Sequence, residues 1–153
     1  MLLREQLPSL AGWKIKVLAS DISREVLARA RAGLYTQFEI GRGLPAPLLV
    51  KYFERRGTSW EVSAQLRGAV EFDEINLTRP WPKLPRMDLI MMRNVLIYLD
   101  AETRKQILGK AARLLAPGGY LMLGGAETLS GVDDAFESVS FEGATCFRLK
   151  SKP

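Results

Sequence analysis

The stretch Met87-Asp88-Leu89-Ile90-Met91-Met92-Arg93-Asn94-Val95-Leu96-Ile97-Tyr98-Leu99 decides the class of this chain. It begins as a near-continuous apolar run, the pattern of a parallel strand buried on both faces. It ends in polar residues, Arg93, Asn94 and Tyr98, just ahead of a helix that opens near Asp100. In an open α/β sheet, ligands bind outside the carboxyl ends of the strands. The polar end of this strand is therefore where a site is expected.

Downstream, Asp100 to Leu115 is amphipathic. Ile107, Leu108, Ala111, Leu114 and Leu115 share one face, with Glu102, Arg104, Lys105 and Lys110 opposite, and Asp100 is placed to cap the helix. Pro117-Gly118-Gly119 predicts a turn into a strand over Tyr120 to Leu123. Phe136 to Lys150 predicts two strands about Glu142-Gly143, closing as an antiparallel hairpin.

Upstream, Leu2 to Leu10 reads as the tail of a helix. Lys14 to Ser20 reads as a strand that closes on Asp21. Ser23 is a good N-cap, and Arg24 to Ala32 a helix ended by Gly33. Strand, acidic residue and helix make half of a doubly wound unit. Ala69 to Ile75 predicts a further core strand, ending at Asn76-Leu77 before a Pro-rich loop. Residues 34–68 interrupt the pattern. They hold Pro45 and Pro47, a predicted helix over Ala46–Glu54, a turn at Arg55-Arg56-Gly57-Thr58 and a strand over Trp60 to Leu66, together a small inserted β-subdomain. Lys51, Arg55, Arg56 and Trp60 in it read equally as a docking face or as a solvated hairpin.

Composition narrows the classes. The 153 residues suggest one domain, and 47% hydrophobic with 25% charged residues is globular rather than disordered. The chain contains no histidine, which excludes His-based triads and His metal ligands, and no metal site is expected. Cys146 is the one cysteine and sits in an apolar context, so it reads as a core residue and no internal disulfide can form. No apolar run approaches the roughly 20 residues of a membrane span, and Arg4, Glu5 and Gln6 follow too soon for a signal peptide. A cytoplasmic protein is expected, without membrane insertion. The net charge of +5 comes from scattered basic residues, so no nucleic acid partner is expected.

Asp21 ends its strand where a carboxylate can accept both ribose hydroxyls of a nucleoside; the alternative is a local cap on the helix that follows. The same placement serves NAD, but no glycine-rich turn after a first strand is present.

Several words of the sequence agree on a family. They are Ala19-Ser20-Asp21-Ile22, Ala30-Arg31-Ala32-Gly33-Leu34-Tyr35, Tyr52-Phe53, Val70-Glu71-Phe72, Asn76-Leu77, Arg93-Asn94-Val95-Leu96-Ile97-Tyr98, Leu115-Ala116-Pro117-Gly118-Gly119-Tyr120 and Gly124-Gly125-Ala126-Glu127. In this order and spacing the chain resembles the catalytic domain of CheR-type chemotaxis receptor methyltransferases. The resemblance implies a Rossmann-like, class I methyltransferase fold that uses S-adenosylmethionine and releases S-adenosylhomocysteine. Its sheet is mostly parallel with an antiparallel last strand. The resemblance also implies methyl transfer to glutamate side chains of chemotaxis receptor helices. Asp21, Asn76, Leu77, Arg93 and Asn94 are then the cofactor-binding residues, with Asn76 and Leu77 beside the adenine. Tyr98, with Arg93, is nearest the transferred methyl. Each has a plainer alternative: a loop Asn satisfying its own backbone, an Arg93 ion pair with Asp88 or Asp100, a half-buried Tyr98 packed under the helix. Glu127, just past the Gly124-Gly125 strand end, could bond a substrate or a neighbouring loop, and its role is open.

Two departures stand out. The loop after Tyr52-Phe53 is short beside those of members that grip a receptor peptide. The family also has an N-terminal helical domain, and opens its catalytic domain with a strand and a Ser-Thr-Gly-Glu-Glu loop around the methionine part of the cofactor. The match here begins at the helix after that loop, so the expectation is a domain truncated of its first strand. That strand lies between the one ending at Asp21 and the one ending at Arg93. Its loss leaves two open edges, for which direct pairing, a strand donated by another copy, or a longer parent chain are the solutions. A non-catalytic, partner-binding remnant of the fold is the competing reading. The chain alone is expected to be poorly stable or to associate; a cooperative melt of a monomer in light scattering would contradict this.

Overall fold

The computed structural model describes residues 1–10, 12–129, 134–141 and 143–150. The chain forms two compact units, Met1–Ile75 and Asn76–Pro153.

The first unit runs α1 (Leu2–Gln6), a 3-10 turn (Pro8–Leu10), β1 (Val17–Asp21), α2 (Arg24–Ala32), β2 (Leu34–Thr36), α3 (Gln37–Ile40), α4 (Ala46–Tyr52), β3 (Phe53–Arg56), β4 (Ser59–Val62), α5 (Ala64–Arg67) and β5 (Val70–Glu74). The helix after Asp21 forms as expected, and the strand before it forms but begins at Val17 rather than Lys14 and includes Asp21. Ser23 Oγ accepts from the amide of Val26 at 3.2 Å and so caps α2. β1 lies parallel to β5, with Asp21 opposite Glu74.

The insertion differs from its expected outline in three ways. The helix stops at Tyr52, because Phe53–Arg56 pairs with β4 instead. The strand over Trp60 to Leu66 breaks at Val62, and Ser63 O accepts from Leu66 and Arg67 to turn the chain into α5. The hairpin gains a third strand: β2 pairs antiparallel with β4, giving the order β2-β4-β3. Thr36 and Glu39 form a capping box at the start of α3, which leaves Leu34 and Tyr35 extended and free to pair. The Tyr35 ring meets Phe53 edge-on at 5.9 Å across the sheet. Tyr52, buried, donates its hydroxyl to Glu5, whose Oε1 also lies 2.7 Å from Lys51 Nζ, tying α1 to α4.

The second unit runs β6 (Met87–Met92), a 3-10 turn (Leu96–Tyr98), α6 (Ala101–Leu114), β7 (Leu115–Leu123), β8 (Phe136–Phe141) and β9 (Ala144–Leu149). Its sheet has the order β6-β7-β9-β8. β6 and β7 are parallel, and β9 is antiparallel to both neighbours, as the reversed last strand requires. Gly143 lies between β8 and β9; Glu142, expected beside it, is outside the described residues. Asp100 caps α6 through the amide of Thr103 at 2.8 Å. Ile107, Leu108, Leu115 and Leu121 are fully buried at the core of the unit, and Cys146 is buried as expected.

Two expectations need correcting. Pro117-Gly118-Gly119 is not a turn between elements but an irregularity inside β7. Met87 stands opposite Leu115 and Leu89 opposite Tyr120, so the extra residues loop out of register. A Cβ on Gly119 would lie 3.0 Å from the carbonyls of Ala116 and Met87, so a side chain there would press on the backbone of both strands. Nor is β6 buried on both faces: Leu89 is 47% and Met91 62% exposed. Leu89 and Met91 alternate with the half-buried Ile90 and the buried Met92, so one face of β6 packs on the core of its unit and the other does not. Leu121→Ala is expected to lower unfolding free energy by about 2–5 kcal/mol, whereas Met91→Ser stays within about 0.5 kcal/mol; chemical denaturation of both variants checks the contrast.

Candidate active site at the carboxyl ends of β6 and β7

β6 delivers its chain into a tight turn, 93–98, and β7 ends at Gly124-Gly125-Ala126-Glu127. The carboxylate of Glu127 joins the two strand ends. Its Oε2 accepts from the amides of Gly124 at 2.7 Å and Asn94 at 2.8 Å. Its Oε1 accepts from Leu96 at 2.8 Å, Val95 at 3.0 Å and Ile97 at 3.3 Å. Burial pushes the Glu127 carboxyl up, but the amides of Gly124, Asn94, Leu96 and Ile97 outweigh it and hold the group below the usual carboxylate range.

This turn bends sharply enough to put Asn94 at φ 60°, the only non-glycine residue with positive φ among those described. Asn tolerates that region better than most side chains. Leu96 points into the core and is buried, while Tyr98, two residues on, is 80% exposed. The half-buried alternative for Tyr98 is thereby set aside. Arg93 is exposed and makes no ion pair with Asp88 or Asp100, so that alternative is absent too.

Asn76 and Leu77 open the loop before β6. Asn76 Oδ1 accepts from the Thr78 amide at 3.0 Å and its hydroxyl at 2.8 Å, the local pattern of an Asx turn. That geometry assigns the oxygen to the turn and leaves the Asn76 NH2 group as a donor. Leu77 is half-buried against the core of its unit. Its carbonyl accepts from Trp81 Nε1 at 3.0 Å and from Lys110 Nζ at 2.8 Å, and the same Nζ reaches Arg79 O at 2.8 Å. Lys110 was expected on the solvated face of α6; instead it anchors this loop. No signal in the sequence separates it from the neighbouring surface lysines. Glu127, left open in the sequence between a substrate and a neighbouring loop, bonds the loop, through the amides of 94–97. Its only sequence signal is an acid just past a Gly-Gly strand end, which does not reveal five donors.

Asp21 belongs to the first unit. Its Oδ1 accepts from the amide of Ser23 at 2.8 Å, while Ser23, not Asp21, supplies the side-chain cap of α2. The first unit also opens a cleft of about 580 Å3 lined by Leu3, Leu7, Trp13, Val17, Leu66 and Val70 among others. It includes none of the expected site residues. The second unit thus brings Arg93, Asn94 and Tyr98 onto one turn and fixes Asn76 and Leu77 to α6.

A protein-family model described as CheR methyltransferase, SAM binding domain, matches residues 1–144. The chain is 36% identical over 137 residues to chemotaxis protein methyltransferase 1 of Pseudomonas aeruginosa, covering 89% of this chain and 50% of that protein. It is 35% identical over 136 residues to chemotaxis protein methyltransferase Cher2 of Pseudomonas putida, covering 88% and 50%. Chemotaxis protein methyltransferase 1 of Vibrio cholerae is 36% identical over 137 residues, with 89% and 50% covered. The chain therefore spans about half the length of the curated relatives it matches. Among solved structures, the glycopeptide N-methyltransferase MtfA gives a TM-score of 0.48 at 15% identity, over 95% of this chain and 62% of that one.

A side chain at position 124 would collide with this turn: a Cβ there lies 2.8 Å from Glu127 Oε2 and 3.0 Å from the Asn94 amide. Gly124→Ala is expected to cost about 1–3 kcal/mol by overpacking, read by denaturant unfolding. Glu127 contributes stability fully above the ordinary Glu value of about 4.3, and that contribution is lost as pH falls through its lower folded-state value. In an acid titration wild-type stability is expected to fall across that window more steeply than that of Glu127→Gln.

Proposed function

We propose that this chain, which belongs to the CheR methyltransferase SAM-binding domain family, binds S-adenosylmethionine and serves methyl transfer to glutamate side chains of chemotaxis receptor helices. The observation that carries the reading is the turn after β6. It presents an exposed Tyr98 beside Asn94 and Arg93 at a strand's carboxyl end, where α/β folds bind ligands.

The residues present fit an adenosyl group in their chemistry. Among the described residues Asp21 uses only Oδ1 locally, and its second oxygen is open to ribose hydroxyls. The Asn76 NH2 group remains a donor for an adenine ring nitrogen, because its oxygen is held by Thr78. Leu77 is assigned to the adenine face, and Arg93 and Asn94 to the wall of the site. When bound, S-adenosylmethionine supplies a methyl group on a sulfonium and leaves as S-adenosylhomocysteine. The acceptor needs no base from the protein: a glutamate side chain, with a reference pKa of about 4.3, is ionised at neutral pH. A chain without histidine suffices for such a reaction. Tyr98, and Arg93 beside it, then orient the acceptor and exclude water, and near-attack placement of this kind is worth roughly 7–11 kcal/mol.

Among the described residues no helix is long and apolar enough to cross a membrane. We place the protein in the cytoplasm, acting on receptor helices and not on nucleic acid. The exposed Leu89 and Met91 on β6 and Val17 on β1 favour self-association by strand addition. They also favour the second reading, a partner-binding module of this fold without turnover.

Calorimetric titration with S-adenosylhomocysteine, with NAD as control, separates these readings. Micromolar binding of the first only, abolished by Asp21→Ala, is expected. Tyr98→Phe is expected to keep that affinity and to slow methylation of a receptor peptide. Binding of neither ligand would leave the non-catalytic reading.

A further inference from the structure

We infer that Glu127 is a positioning residue: its carboxylate, gripping the amides of Asn94, Val95, Leu96 and Ile97, sets the turn that aims Tyr98, Asn94 and Arg93. The role rests on the reading that those three residues line the cofactor site.

The geometry restricts Glu127 to this task. A carboxylate offers about four lone-pair sites, and five amides already point at its two oxygens. It has no acceptor capacity left for a substrate, so it acts through the turn and not on a reacting atom. The turn has two anchors. One is the Leu96 side chain, buried in the core; the other is this carboxylate. Tyr98 is mostly exposed, and no hydrogen bond of its side chain to a described residue holds it, so its direction follows from the backbone of 94–97. The approach is also close. Gly124 leaves room for Oε2 where any Cβ would collide, and Asn94 takes a left-handed conformation to present its amide. Removing the carboxylate orphans four successive N–H groups and releases the strain at Asn94.

The test compares wild type, Glu127→Gln and Glu127→Asp in the full chain. Glutamine offers one acceptor oxygen and turns an NH2 group toward the amides; aspartate keeps the charge at a shorter reach. In nitrogen–proton correlation spectra, the amides of Asn94, Val95, Leu96, Ile97 and Gly124 are expected to shift together on acidification of wild type, and to be insensitive in Glu127→Gln. The affinity for S-adenosylhomocysteine at neutral pH is expected to fall on the order of tenfold to a hundredfold in Glu127→Gln, with partial rescue in Glu127→Asp. Glu127→Gln binding within about twofold of wild type, or amides that titrate independently of one another, overturns the role. If Glu127→Gln does not fold, the wild-type titration and the Glu127→Asp affinity decide alone; an Asp variant as weak as one with the turn removed by Leu96→Ala counts against rescue and overturns it. Wild type that shows the concerted titration but binds no S-adenosylhomocysteine overturns instead the cofactor reading, and the role with it.

Discussion

One carboxylate holds together the end of the second unit where a ligand site is expected. Backbone amides at a strand end that turns sharply have no ladder partners, and buried or half-buried ones must find acceptors elsewhere. Glu127 meets that demand for four residues past β6 and for Gly124 at the end of β7. Charge-assisted hydrogen bonds are about twice as strong as neutral ones, so a single side chain can offset the backbone irregularity of a whole turn. The other features of this corner follow from it: a glycine at 124 for clearance, a left-handed Asn94, a buried Leu96 and an outward Tyr98.

A second, smaller anchor works by the opposite sign. The Lys110 ammonium reaches from α6 to the carbonyls of Leu77 and Arg79, and stands 5.5 Å from the Trp81 ring. An anion collects amides at one corner of the unit, and a cation collects carbonyls at another. Both leave side chains of the expected site without a structural duty, as the open NH2 of Asn76 and the exposed Tyr98 illustrate.

Much of this was legible in the sequence because it depends on local patterns. Ser23, Asp100 and the helices they cap obey rules that act over three or four residues. The α6 core face, Ile107, Leu108 and Ala111, follows from helical spacing. What escaped depends on partners distant in the chain. β2 is too short to be recognised until β4 lies beside it, and the register slip at Pro117–Gly119 is defined only against β6. The apolar run of β6 reads as buried on both faces because composition cannot tell a strand covered on both faces from one covered on one. The family words placed Arg93, Asn94 and Tyr98 on one turn. They include Glu127 without fixing its partners and leave out Lys110; both act by reach across the fold.

The three-stranded antiparallel sheet between α2 and β5 has a kinetic consequence. β1 and β5 are far apart in the chain, and joining two such segments costs entropy that grows with the flexible length between them. β3 and β4 meet across Gly57 and Thr58 alone, and β2 closes onto β4 soon after. Short-range hairpins form in microseconds, before distant strands find each other. Once that sheet is in place, the tether between β1 and β5 is short and stiff. The insertion thus acts as a staple on the nascent chain, and the parallel pair that ends at Asp21 forms in its wake.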